Sequence, residues 1–220
     1  MAKINSVVGV SGNERINALN DGVFAIVITL LVLEIKVPDI PPDLVATELP
    51  HALQEVAPKV LSHIISFVVL GIYWVGQHNM FMHIKRHNRV LLWLDIFFLL
   101  CMASMPFPTG LVVRYGQEQI SVVIYAGTLI ITGLTLDLIW WYASHDHRLV
   151  DENIDPKLVA FVHRRVLLAP LIYLLAIGVS FVSLLVAKLL FVVVALLYIL
   201  PNPLDHYHHS QLHEQVTVWD

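Results

Sequence analysis

The chain holds one cysteine in 220 residues, Cys101, set inside an apolar run. That excludes an internal disulfide framework and any zinc or iron–sulfur centre built on cysteine. Charge is scarce too: 14% of residues are Asp, Glu, Lys or Arg, and the formal net charge is −4. Such a balance gives no basis for nucleic-acid binding, and no nucleic-acid partner is expected. The short signatures of soluble enzymes are also missing. There is no G-x-S-x-G, no H-E-x-x-H, no phosphate-cradling glycine loop and no thiol pair, so neither a catalytic set nor a cofactor is expected. A T-V-G-Y-G-like carbonyl filter, an internal repeat and a low-complexity run are equally lacking.

What the chain has in excess is apolar surface. With 57% hydrophobic residues and a mean hydropathy of +0.73, it carries more than a soluble domain of this size can bury. Lipid has to take the surplus, which predicts an all-α, polytopic membrane protein. Six spans are expected. The first is one helix over Ser11 to Val37, opened by the capping-box pair Ser11 and Glu14 and ended by Pro38. Pro38, Pro41, Pro42 and Pro50 break the following loop, part of which is expected to form an interfacial helix before a second span at about Val56 to Met82. A third runs from Val90 to Val113, bent in its far third by Pro106 and Pro108. The fourth covers Ile120 to Ala143 and closes on the interfacial aromatics Trp140, Trp141 and Tyr142.

Val166 to Leu200 is 35 residues interrupted by one charge, Lys188. At about 1.5 Å per residue a single helix would exceed 50 Å, against a hydrocarbon core of about 30 Å. A split near Val182 to Lys188 is therefore expected, with a fifth helix from Lys157 and a short sixth ending before Pro201. Residues 1–204 then form one membrane domain and residues 205–220 a short His-rich tail. Basic residues set the orientation. Lys3 and Arg15, then Lys85, Arg86 and Arg89, then Arg148, Lys157, Arg164 and Arg165 fall on one side of a six-span chain, nine of its 13 Lys and Arg. The positive-inside rule puts that side, both termini and the tail in the cytoplasm.

The first helix has two unlike faces. On a wheel of about 100° per residue, Leu19, Gly22, Thr29, Leu30 and Leu33 share the stripe of Ile26, while Asn17, Asp21 and Phe24 lie opposite. The six-span arrangement also brings Arg15, Asp21, His78, Asp95 and Asp137 to one depth near the cytoplasmic side. Charges in a membrane are costly and are expected to pair, either as a structural layer locking helices together or as a proton- or ion-sensitive gate.

Arg15-Ile-Asn-Ala-Leu-Asn20-Asp21, followed by Gly-Val-Phe-Ala-Ile and Thr29-Leu-Leu, resembles the signature of the transmembrane protein 175 family, the endolysosomal potassium channels and their prokaryotic relatives. Leu19 and Asn20 stand where that signature has Phe and Ser. Trp74-x-x-x-His78, Asn88, Leu91-Leu92 and Pro106-Phe107 extend the similarity. The resemblance implies a homotetramer of six-helix subunits in a prokaryotic plasma membrane, passing K+ and other monovalent cations along a central pore lined by the first helices. It implies a constriction at Ile26, Leu30 and Leu33 with Thr29 alongside. The motif residues and those of shared depth, Arg15, Asn20, Asp21, Trp74, His78, Asp95 and Asp137, are together expected to form a gating or structural polar network. Two other classes stay open on the residues: a proton-linked transporter using the Asp and His groups as a relay, and a non-conducting membrane scaffold.

Overall fold

The computed structural model describes residues 12–200, and the His-rich tail and the Ser11 cap lie outside them. Seven α-helices account for most of this length: α1 (Gly12–Leu30), α2 (Val45–His83), α3 (Arg89–Ala103), α4 (Pro106–Tyr115), α5 (Gln119–Ser144), α6 (Pro156–Ser180) and α7 (Leu184–Ile199). No strand forms among the described residues beyond an isolated bridge between Ile84 and Val150. Because α3 and α4 follow one another through a short break, they read as one span, Arg89–Tyr115, and the bundle has six rods. Five are long and apolar enough to cross a membrane, while α7 is a shorter apolar helix of 16 residues.

Three boundaries differ from the sequence reading. The first helix does not run to Val37. It tightens into a 3-10 turn at Leu31–Glu34 and leaves helical geometry at Ile35, because β-branched Ile35 and Val37 and then Pro38 favour extended backbone. The second helix starts at Val45, well before Val56, and passes unbroken through Pro50 and Pro58. Each proline deprives the carbonyl four residues earlier of its donor. Ala46 and Gln54, which own those carbonyls, are exposed, so water can supply the missing bond. At 39 residues this helix is about 58 Å long, so its first turns project beyond the hydrocarbon. The last break falls at Phe181–Ser183, at the N-terminal edge of the expected window, and Ser183 caps α7 by accepting from Val186 N.

The expected proline bend of the third span is present. Ser104 and Met105 interrupt the ladder, and Pro106 opens α4 in the first turn, where no donor is needed. Helix α5 is the centre of the subunit, packing on α3, α4, α6 and α7, while α1 packs on α2 and α3 and sets its 3-10 end against α4. Aromatic contacts fill the core: Phe24 of α1 and Tyr73 of α2 lie 6.0 and 6.4 Å from Phe98 of α3, and Tyr125 and Tyr173 lie 5.1 and 5.6 Å from Phe191 of α7. Buried hydroxyls find partners across helices. Tyr73 donates to Leu129 O at 2.7 Å, and Ser66, Tyr125 and Thr109 form a chain joining α2, α5 and α4.

The connections after α2 and α5 are stitched together. Lys85 and Arg86 donate their backbone N–H groups to Leu149 O, Arg86 Nη2 reaches His147 O, and the Arg148 guanidinium lies 4.6 Å over the Tyr142 ring. Asn88 caps α3 through Leu91 N and also donates to the Tyr142 hydroxyl at 2.9 Å. Asp146 and His147 turn the chain with φ of 53° and 52°, a left-handed pair that lets α5 end tightly enough to face this contact.

Candidate functional site

Helix α1 is divided lengthwise. Ile16, Asn20, Phe24, Val27 and Leu31 recur at steps of three and four and are buried against the bundle. The stripe of Leu19, Gly22, Ile26, Thr29, Leu30 and Leu33 is uncovered by its own subunit, with Ile26 60% and Leu33 68% exposed. A Cβ added at Gly22 would meet nothing within 4 Å. The Thr29 hydroxyl donates back to Ala25 O and Ile26 O at 2.8 and 2.9 Å. Its proton is thus turned to the helix and its lone pairs are left to face outward. Arg15 is exposed, one turn before Leu19.

On its other side α1 carries Asn20 into the bundle and Asp21 at the bundle's exposed edge. Trp74 of α2 donates its indole N–H to Asp21 Oδ1 at 2.8 Å, and the same indole stacks on His78, 5.5 Å between centroids and 25° between planes. One residue earlier on α1, Asn20 is 1% exposed. With Gln77 of α2 it flanks the Asp95 carboxyl of α3, each of the three being 2% exposed or less. Asn20 Nδ2 and Oδ1, Gln77 Nε2 and Asp95 Oδ1 make no hydrogen bond of full geometry among the described residues. The two clusters sit side by side where α1 meets α2 and α3.

Asp137 stands apart from these two clusters in its partner. His163 Nδ1 of α6 comes to 2.7 Å from Asp137 Oδ1, a close contact out of line for a well-formed hydrogen bond. Both residues are seven positions from the turn joining their helices, which end at Ser144 and begin at Pro156. Antiparallel packing therefore brings them level.

Gln77 and His163 are the two polar residues that the sequence reading did not single out. Both were marked in principle, since a polar side chain inside an apolar span is a functional candidate by default. For His163 the pairing also needed the two helix ends that fix its height. Among the described residues, no group of three or more His, Cys, Asp or Glu is placed to hold a metal ion.

A model of the family described as the endosomal/lysosomal potassium channel TMEM175 matches residues 15–106, beginning on Arg15 and ending on Pro106. A potassium channel of Streptomyces collinus is 34% identical over 77% of this chain and 82% of its own. Another potassium channel, from Chamaesiphon minutus, is 33% identical over 77% of this chain and 84% of its own. The crystal structure of a lysosomal potassium-selective channel TMEM175 homologue from Chamaesiphon minutus superposes with a TM-score of 0.74 at 30% identity, covering 84% of this chain and 95% of that one. These relatives are described as ion channels and not as enzymes.

Proposed function

The chain belongs to the TMEM175 family of endosomal/lysosomal potassium channels, and from that premise we propose that it forms a potassium-permeable cation channel. Four copies surround a central pathway, and each contributes the uncovered stripe of α1. Rings of Ile26, Leu30 and Leu33 form an apolar constriction that dewets when narrow, so that closure needs no charged plug and selectivity needs no carbonyl filter. Thr29 places outward lone pairs beside those rings and supplies part of an ion's hydration shell. Monovalent cations other than K+ pass to the degree that this small set of oxygens tolerates them.

The observation that carries this reading is the division of α1. Its inward face is fixed by aromatic packing and by Asp21 and Asn20, while the six-residue stripe opposite is left open and includes Gly22 and Thr29 among its apolar members. A face meant only for lipid has no need of a glycine and an outward-turned hydroxyl oxygen. The clusters around Asp21 and Asp95 act as anchors for α1, so small rotations of this helix alter the bore. The protein is a multi-pass membrane protein, and we place it in a prokaryotic plasma membrane with both termini cytoplasmic, on the distribution of Lys and Arg.

The test is passive flux in vesicles reconstituted with the full chain. Under a potassium gradient, Ile26→Asn and Leu33→Asn should each raise K+ flux severalfold, because a hydrated ring removes the dewetting barrier. Flux indifferent to both changes but dependent on a pH gradient and on Asp137 would establish a proton-linked transporter instead. Absence of flux under every gradient would leave a scaffold.

A further inference from the structure

Helix α6 carries two adjacent arginines, Arg164 and Arg165, deeper than the interfacial aromatics of α5. Trp140 of α5 donates its indole N–H to Val159 O of α6 at 3.1 Å, which fixes the level of the aromatic belt on α6. The two arginines follow Val159 by five and six residues, so their Cα atoms lie about 7–9 Å further toward the middle of the membrane. Among the described residues, neither is in an ion pair with a carboxylate. A guanidinium at that depth is costly unless it reaches the headgroups or draws an anion to itself.

The geometry shows how the charge is held. Side chains on a helix lean toward its N-terminus, which for α6 is the end bearing the belt. The Arg165 guanidinium leans that way, 6.0 Å over the ring of Phe161 one turn earlier, and it also lies 5.3 Å over the ring of Tyr198 in the last turn of α7. The Tyr198 hydroxyl donates to the Arg165 carbonyl, tying the two helices at this point. The guanidinium is thus positioned by two aromatic faces, and among the described residues its N–H fork has no acceptor and is open to an oxyanion. Arg164 beside it is exposed. Further into the membrane on α6, Leu168, Leu171 and Leu175 are exposed on the side of Arg164 and offer an apolar surface suited to acyl chains. Helix α6 packs on α5 and α7, and α7 also on α2, while α1 packs on α2 and α3.

We propose that Arg164 and Arg165, with Tyr198, form a binding site for the phosphate of an anionic phospholipid in the crevice between α6 and α7. A headgroup drawn down to this level meets two cations and a fixed ring, and its chains continue over the leucine surface. A zwitterionic lipid brings the same phosphate but also an ammonium that the arginines repel, so the site selects for net negative charge.

Thermal unfolding of the full chain in a neutral detergent tests this. Added phosphatidylglycerol should raise the midpoint and added phosphatidylcholine should not. The rise should fall by at least half in Arg164→Gln/Arg165→Gln, fall less in Arg164→Lys/Arg165→Lys, which keeps the charge but loses the fork, and be untouched in Lys85→Gln. If the double glutamine variant does not fold, Arg164→Gln alone decides, because an exposed side chain can be changed without disturbing the core, and it should weaken the rise measurably. Equal stabilisation by both lipids overturns the proposal, as does the same rise with inorganic phosphate or a full rise in the glutamine variants. Loss of the oligomer in those variants on size exclusion would place the arginines at a subunit contact and overturn it as well.

Discussion

Trp74 donates its indole N–H to Asp21 at 2.8 Å, and this bond fastens the middle of α1 to the last third of α2. Asp21 follows Asn20 on α1, so the same short stretch is bonded to the Trp74 indole and buried beside Gln77 and Asp95. The rotation of α1, and with it the direction of the Ile26 stripe, is expected to depend on these contacts.

Trp74→Phe keeps a ring to stack on His78 and deletes the donor. A hydrogen bond to a carboxylate contributes about 1.5–3 kcal/mol when well protected. Both partners here are partly exposed, so a loss of about 1 kcal/mol is expected. Thermal unfolding in detergent reads this, and single-channel recording should show altered open probability at an unchanged unitary conductance.

Thr29→Val preserves shape and β-branching while removing the hydroxyl oxygen. The fold should be unaffected, because the Thr29 hydroxyl bonds only to its own helix among the described residues. Potassium flux should fall, and the ratio of K+ to Na+ permeability should move toward one. Bilayer recording under asymmetric K+ and Na+ checks both.

Gly133→Ala should be destabilising. An added Cβ would lie 2.6 Å from Pro170 Cγ and 3.3 Å from the Tyr73 hydroxyl, and the proline ring cannot yield as a flexible chain would. Overpacking of this kind costs about 1–3 kcal/mol. Gly127→Ala on the same helix has nothing within 4 Å of the new atom. It should be neutral or stabilising by up to about 1 kcal/mol, since glycine is a poor helix former.

His163→Ala leaves the Asp137 carboxylate, 13% exposed, without its contact, and a drop of about 1–3 kcal/mol is expected from the unpaired group. Asp137→Asn in the same background should restore most of it, because a neutral amide is cheaper to leave unpaired. Asp137→Asn alone should leave potassium flux near the unaltered level, whereas a proton-linked transporter would lose its coupled flux.

Much of this was legible in the residues. The third span breaks at Pro106, where its bend was expected, although Pro50, Pro58 and Pro170 lie inside unbroken helices. The wheel of α1 separated Ile26 from Phe24, and the bundle buries Phe24 and leaves Ile26 open. The end of α1 and the start of α2 were less legible. A 3-10 turn differs from an α turn by one hydrogen-bond step, and the cost of an internal proline depends on whether water reaches the freed carbonyl. The partner of Asp137 needed the level of α6 against α5.

The sequence by itself determined that the chain spans a membrane as helices, that the third span bends at Pro106 and the last apolar run splits near Val182 to Lys188, and that α1 has two faces. These follow from local chemistry: apolar surface in excess of any core, a missing N–H, a 3.6-residue repeat. Only the tertiary structure decided which polar groups meet. Asp21 found Trp74, Asn20 and Gln77 closed on Asp95, and Asp137 found His163, because contact across helices depends on the relative height and rotation of whole rods, which packing at distant aromatic residues sets.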